Sequence, residues 1–173
     1  MANLQEKIYT KSPHFIQNLI VSTYNILSYR KRYSKKYKAF RKIYLENSSL
    51  SIDDLKDIQS KKYKAFINYV NQKSKYYNMV FSQIDSPEDI NNIVKIPIID
   101  KETLRSNINE IYTIKKNSGV VSKTGGTTGK SLEVVYTIDD IQERFAILDH
   151  FRSGFDYRLG KKTAWFSGKN LLN

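Results

Sequence analysis

The chain has 173 residues and not one cysteine. That excludes disulfides and thiolate metal sites, and it suits a reducing compartment, so a cytoplasmic location is expected. Long apolar runs are missing too. The most apolar early stretch, residues 15–27, is broken by Gln17, Asn18, Ser22, Thr23 and Asn25. It is too short and too polar to cross a bilayer, which takes about 20 mainly apolar residues. Residues 1–12 are polar and mixed in charge, without the apolar segment of a secretory signal. The two histidines, His14 and His150, stand far apart and lack ligand-spaced partners, so no metal site built by the protein is expected. There is no G-x-S-x-G elbow to present a serine nucleophile and no G-x-G-x-x-G dinucleotide fingerprint. Repeats and low-complexity tracts are also absent.

What the chain does have is enough apolar material, 40%, for an ordinary core. Its net charge is +12, and the basic residues concentrate between positions 30 and 42. Arg30, Lys31, Arg32, Lys35, Lys36, Lys38, Arg41 and Lys42 occur there with no acid among them. Such a run fits a nucleic-acid-binding module, or a peripheral membrane segment in which residues 15–27 lie on lipid and the basic run anchors them. It also fits plain compositional drift, because Lys, Asn, Ile and Tyr are abundant together. Tyr33, Tyr37, Phe40 and Tyr44 interleave at spacings of three and four, the pattern of an aromatic core stripe under a solvated basic face.

Periodicity predicts helix over residues 13–46, with Phe15, Ile16, Leu19, Ile20, Thr23, Ile26 and Leu27 on one face. Ser51 and Asp54 form a capping-box pattern opening a second helix, whose buried face is expected at Leu55, Ile58, Phe66, Tyr69 and Val70. Tyr76, Tyr77, Met79, Val80 and Phe81 follow as an apolar patch. Ser86-Pro87-Glu88-Asp89 reads as a helix start, cut short by the extended backbone that Ile96-Pro97 demands. Asp100 caps another helix to about Asn109. Val120-Val121 and Leu132–Tyr136 read as strands on either side of a glycine-rich loop. Thr137 and Asp140 form a further capping box, so Asp139 and Asp140 are helix-start residues rather than a catalytic pair. Ile141, Phe145, Leu148 and Phe151 are the expected buried face of that helix. Gly154 and Gly160 mark turns, and residues 163–167 read as a buried strand.

The loop, Ser122-Lys-Thr-Gly-Gly-Thr-Thr-Gly-Lys130-Ser-Leu132, gathers the donors a phosphate needs. Glycines 125, 126 and 129 let backbone N–H groups approach an anion. Thr124, Thr127 and Thr128 add hydroxyls, and Lys123 and Lys130 add charge. Gly129-Lys130-Ser131 matches the end of a Walker A motif, but the first glycine of that motif falls on Thr124. A Walker loop must also open a helix, and Leu132-Glu-Val-Val-Tyr prefers a strand.

A Ser/Thr/Gly-rich loop between strands, ending in Gly-Lys, resembles the phosphate loop of adenylate-forming (AMP-binding) enzymes. The segment Lys95-Ile-Pro-Ile-Ile-Asp-Lys-Glu-Thr-Leu-Arg105-Ser-Asn resembles the x-P-x-x-x-K-x-x-L-R stretch preceding that loop in phenylacetate–CoA ligase-type members. Residues 63–81 resemble the helix and N-x-x-x-Y-Y turn before it, and Ser12-Pro-His-Phe-Ile-Gln-Asn-Leu resembles the capsule-biosynthesis, CapK-like branch. Two positions depart from the pattern: Ser131 stands where proline is common, and Gly125 where Ser or Thr often sits.

The resemblance implies an α/β fold in which N-terminal helices, residues 1–82, precede the start of the large AMP-binding domain, residues 83–173, with an incomplete sheet. It implies carboxylate activation with ATP and Mg2+ to an acyl-adenylate, then transfer to CoA, in a polysaccharide pathway. Thr124, Gly125, Gly126, Thr127, Thr128, Gly129 and Lys130 would hold the β- and γ-phosphates. The family's adenine, magnesium and acyl sites and its catalytic lysine have no counterpart among these residues. The chain is therefore expected to be an N-terminal fragment, inactive alone, whose partners are ATP, a carboxylic acid and CoA rather than nucleic acid.

Overall fold

The computed structural model describes residues 9–124 and 131–163. It is mostly helical, with one two-stranded antiparallel sheet among the described residues, and so is α/β in the broad sense. The chain divides into two compact units, residues 1–45 with 142–173, and residues 46–141.

In the first unit, α1 (His14–Arg32) and α2 (Lys35–Asn47) are separated by a break at Tyr33-Ser34. The predicted single helical stretch is thus two helices. No residue of α1 is buried. Its apolar row is open to solvent, Phe15 at 72% and Leu19 at 66% of their full exposure. The aromatic stripe of α2 does point inward, as the spacing predicts: Tyr37 is buried, and Phe40 and Tyr44 are half-buried. Its partner is α7 (Ile138–Ser153). There the expected apolar face is displaced. Gln142, Ala146 and Asp149 are the buried positions, while Phe151 is 66% exposed.

Three polar side chains of α7 hold this contact. Gln142 Oε1 accepts from the Ser34 hydroxyl at 2.9 Å and from the Tyr37 backbone N–H at 3.0 Å. Tyr37 is the third residue of α2, so Gln142 does the work a local N-cap normally does. The Tyr37 hydroxyl donates to Asp149 Oδ2 at 3.0 Å, and the Tyr44 hydroxyl donates to Glu143 Oε1 at 2.7 Å. Burial first, then these carboxylate partners, push both phenols well above their ordinary titration range. Tyr33 stacks edge-on against Phe145, and Arg32 lies over the same ring at 5.0 Å.

The second unit is built on α3 (Ile52–Lys73). Its capping box is complete: the Ser51 hydroxyl accepts from Asp54 N–H, and the Asp54 carboxylate accepts from Ser51 N–H. The buried side of α3 is Ile67 and Val70, packed with Phe81 of α4 (Lys75–Phe81) and flanked by Tyr63, Tyr77 and Ile96. Phe66 and Tyr69, expected inside, are 61% and 44% exposed. Ser74, between α3 and α4, is 1% exposed and donates to the Glu110 carbonyl at 3.0 Å.

The stretch after α4 differs from the predicted helix start. Ser86 takes φ 48°, a left-handed turn conformation, and Asp89 is the cap, of a 3-10 helix, Ile90–Lys95. Pro97 ends it, with Ile96 extended as the sequence requires. Asp100 caps α5 (Lys101–Ser106) by accepting from Thr103 N–H at 2.7 Å. A break at Asn107 separates α5 from the single turn α6 (Ile108–Ile111). The strands β1 (Val120–Lys123) and β2 (Glu133–Tyr136) follow, and Thr137 with Asp140 closes the capping box that opens α7. Gly154 and Gly160 lie in turns, as expected. Of the strand expected at residues 163–167, only Thr163 lies within the described residues, and it is not in a strand.

Candidate functional site

The predicted site begins where the hairpin ladder ends. β1 and β2 pair antiparallel with Val120 opposite Tyr136, Val121 opposite Val135, Ser122 opposite Val134 and Lys123 opposite Glu133. Their β-branched residues favour this pleated pairing. Gly119 allows the strands to approach at the base: a Cβ there would meet Val135 Cγ1 at 2.5 Å and the Tyr136 carbonyl at 2.7 Å.

One step beyond the last pair, Thr124 and Leu132 form a double link. Thr124 N–H donates to the Leu132 carbonyl at 2.9 Å, and Leu132 N–H donates to Thr124 Oγ1 at 3.0 Å. Leu132 is buried at 6% exposure, which anchors the neck from below. Thr124 therefore joins the two ends of the loop. Gly125, Gly126, Thr127, Thr128, Gly129 and Lys130 lie outside the described residues.

The charges at the neck are arranged differently from the sequence expectation. Lys123 is not simply an added positive charge. Its Nζ sits 3.0 Å from Glu133 Oε1, and Lys116 Nζ sits 2.5 Å from Glu133 Oε2. Hydrogen bonds from Lys116 and then Lys123 hold the Glu133 carboxyl down at about 2, and Glu133 in turn raises Lys116. Tyr112 steadies the strand by donating from its hydroxyl to the Glu133 backbone carbonyl at 3.1 Å. The cluster carries two cations and one anion, a net positive charge beside the loop. Spacing alone did not point to Lys116 or Tyr112. The cross-strand register, which places Glu133 opposite Lys123, is what gathers them.

The second candidate, the basic run at residues 30–42, is split between the end of α1 and the start of α2. Tyr37 and Tyr44 hydrogen-bond to α7, so they are not free to stack on bases. Among the described residues no group of three or more His, Asp or Glu is placed to hold a metal ion, and no helix is long and apolar enough to cross a membrane.

Compared with known proteins, the chain is similar to Protein CapK of Staphylococcus aureus, with 30% identity over 169 residues. That alignment takes in 95% of this chain and 36% of CapK, so the chain spans little more than a third of the length of this relative. No family model matches it, and no solved structure matches it.

Proposed function

We propose that this chain is the triphosphate-holding part of an ATP-dependent, adenylate-forming ligase of the CapK-like type, one that activates a carboxylate as an acyl-adenylate before passing it to CoA. The observation that carries the reading is the neck at Thr124 and Leu132. A loop of glycines and threonines ending in Gly129-Lys130 leaves from one antiparallel strand and returns into the next. No helix opens after it, which sets it apart from a Walker loop.

In this reading Thr124, Gly125, Gly126, Thr127, Thr128, Gly129 and Lys130 hold the β- and γ-phosphates. Backbone N–H groups and hydroxyls orient them, and Lys130 offsets their charge while the carboxylate attacks the α-phosphorus, the bond from the α-phosphorus to the bridging oxygen breaks and pyrophosphate leaves. The Thr124 clamp fixes both ends of the loop, so these donors start from a constrained frame. Mg2+, a hard cation that prefers oxygen, would neutralise phosphate charge. The neck offers it little, since both Glu133 oxygens already accept from lysines. Its ligands would then be the phosphates themselves and groups elsewhere in the longer protein. A place in polysaccharide biosynthesis is part of the same proposal and rests on the likeness to CapK.

The test is a comparison of ATP, ADP and AMP binding to the 173-residue chain by calorimetry. Affinity is expected to fall in that order. Lys130→Ala removes one charge-assisted contact and is expected to weaken ATP about tenfold or more while leaving AMP unchanged. Equal affinity for ATP and AMP, or an unaltered Lys130→Ala variant, refutes the reading.

A further inference from the structure

The helix α1 presents a surface that the first unit does not use. None of its residues is buried. At about 100° per residue, Phe15, Leu19, Thr23, Ile26 and Arg30 fall within about 80° of one another, and Ile16, Ile20 and Leu27 extend the same row. Leu19, Ile26 and Leu27 are 66%, 57% and 53% exposed. Arg32, which reaches across to Phe145 of α7, leaves from the opposite side of the helix. The contact with α7 leaves the row itself open, since Phe15, Leu19, Ile26 and Leu27 are all more than half exposed.

The charge around this row is of one sign. From Tyr9 to Leu45 the sequence contains nine Lys and Arg residues and no Asp or Glu. Arg30 continues the apolar row at its C-terminal end, and Lys31, Lys35 and Lys38 follow, all exposed. A nucleic acid answers the charge but has no use for a row of Leu and Ile. A second copy of this helix answers the apolar row but repeats the positive charge. An anionic bilayer surface answers both: acyl chains take the aliphatic side chains, and headgroup phosphates take the guanidinium and ammonium groups. The 19-residue helix is too polar to cross a bilayer, and an apolar row beside basic residues suits an element lying in the interface.

We infer that α1 is a docking surface for anionic lipid, lying in the plane of the membrane with Phe15, Leu19, Ile26 and Leu27 in the headgroup–acyl boundary and Arg30, Lys31 and Lys35 on the phosphates. This stands independently of the nucleotide reading, because no residue is shared with the loop.

The test is co-sedimentation of the 173-residue chain with vesicles of equimolar phosphatidylglycerol and phosphatidylcholine, against vesicles of phosphatidylcholine alone. The wild type is expected to pellet with the anionic vesicles and to bind the neutral ones at least about tenfold more weakly. Leu19→Glu with Ile26→Glu should lower anionic-vesicle binding about tenfold or more without changing the thermal melt, since both positions are exposed. Arg30→Glu with Lys31→Glu should do the same. Failure to pellet with anionic vesicles overturns the inference. So does binding indifferent to Leu19→Glu with Ile26→Glu, or duplex DNA that strips the chain from vesicles with equal force in that variant. Self-association abolished by the same pair, in a chain that ignores lipid, would assign the row to a second copy and overturn it as well.

Discussion

Replacing Gln142 tests whether α2 is capped from outside its own sequence. Gln142 is 2% exposed, and its Oε1 is the acceptor for both the Ser34 hydroxyl and the Tyr37 N–H. The first turn of α2 holds no acidic residue and begins with Lys35 and Lys36, which oppose the helix dipole, so little else favours that end. In Gln142→Ala the cap is lost, which typically costs about 1 kcal/mol and up to about 2. Viewed from the donor, an unpaired buried N–H costs about 1–3 kcal/mol, and this counts the same loss again rather than a second one. Removing the buried methylene adds about 0.8 kcal/mol. The expected sum is about 2–3 kcal/mol, or roughly 5–10 °C in melting temperature for a chain of this size. Gln142→Glu keeps an acceptor at the same place and puts a negative charge near a helix N-terminus, so it should stay within about 1 kcal/mol of wild type at neutral pH. Urea unfolding followed by far-UV circular dichroism reads both, as a shift in midpoint at constant slope. A Gln142→Ala variant within about 0.5 kcal/mol of wild type would show that the cap contributes nothing.

Two further outcomes concern the hairpin. Gly119→Ala puts a methyl group against Val135 and the Tyr136 carbonyl, so the strand pairing should lose about 1–3 kcal/mol, read as faster amide exchange at Ser122 and Val134, a hydrogen-bonded pair of the ladder. Glu133 should titrate near 2 by carbon NMR, and Lys116→Met should move it towards the ordinary carboxylate range, more than Lys123→Met does. Because the folded value is depressed, whatever the Lys116–Glu133–Lys123 cluster adds to stability is present above the unfolded carboxylate range and is lost as pH falls towards 2. A Glu133 titration in the ordinary range would mean that the lysines do not hold it in solution.

Signals that are local in the chain were legible without coordinates. The capping boxes at Ser51/Asp54 and Thr137/Asp140 need only a spacing of three, and the flanking strands need only their β-branched residues. The inward turn of Tyr37 and Tyr44 followed from their helical spacing. What stayed hidden depends on partners far away in sequence. Hydrophobic periodicity cannot mark Gln142 and Asp149 as interior positions, because their place is set by the polar groups they satisfy. It also favours Phe66 and Tyr69 over Ile67, because the side of α3 that is covered is set by Phe81 and Ile96, later in the chain. Ser86 reads as a cap by type, yet its left-handed backbone passes that role to Asp89. At the candidate site, the loop's donor content was evident from composition. The clamp made by Thr124 and the engagement of Lys123 by Glu133 were not, because both depend on register.

The Thr124–Leu132 link also has a consequence for how this region tolerates change. The ladder below it is registered by its own pairs, and Leu132 is fixed in the interior. Insertions or deletions within residues 125–131 therefore need not shift any strand partner. Doubling the length of such a connection raises its closure cost by only about 0.6 kcal/mol. The reach and chemistry of the segment can thus vary between relatives while the hairpin stays in step, whereas a one-residue change on the strand side of Thr124 would turn every β1 side chain to the opposite face.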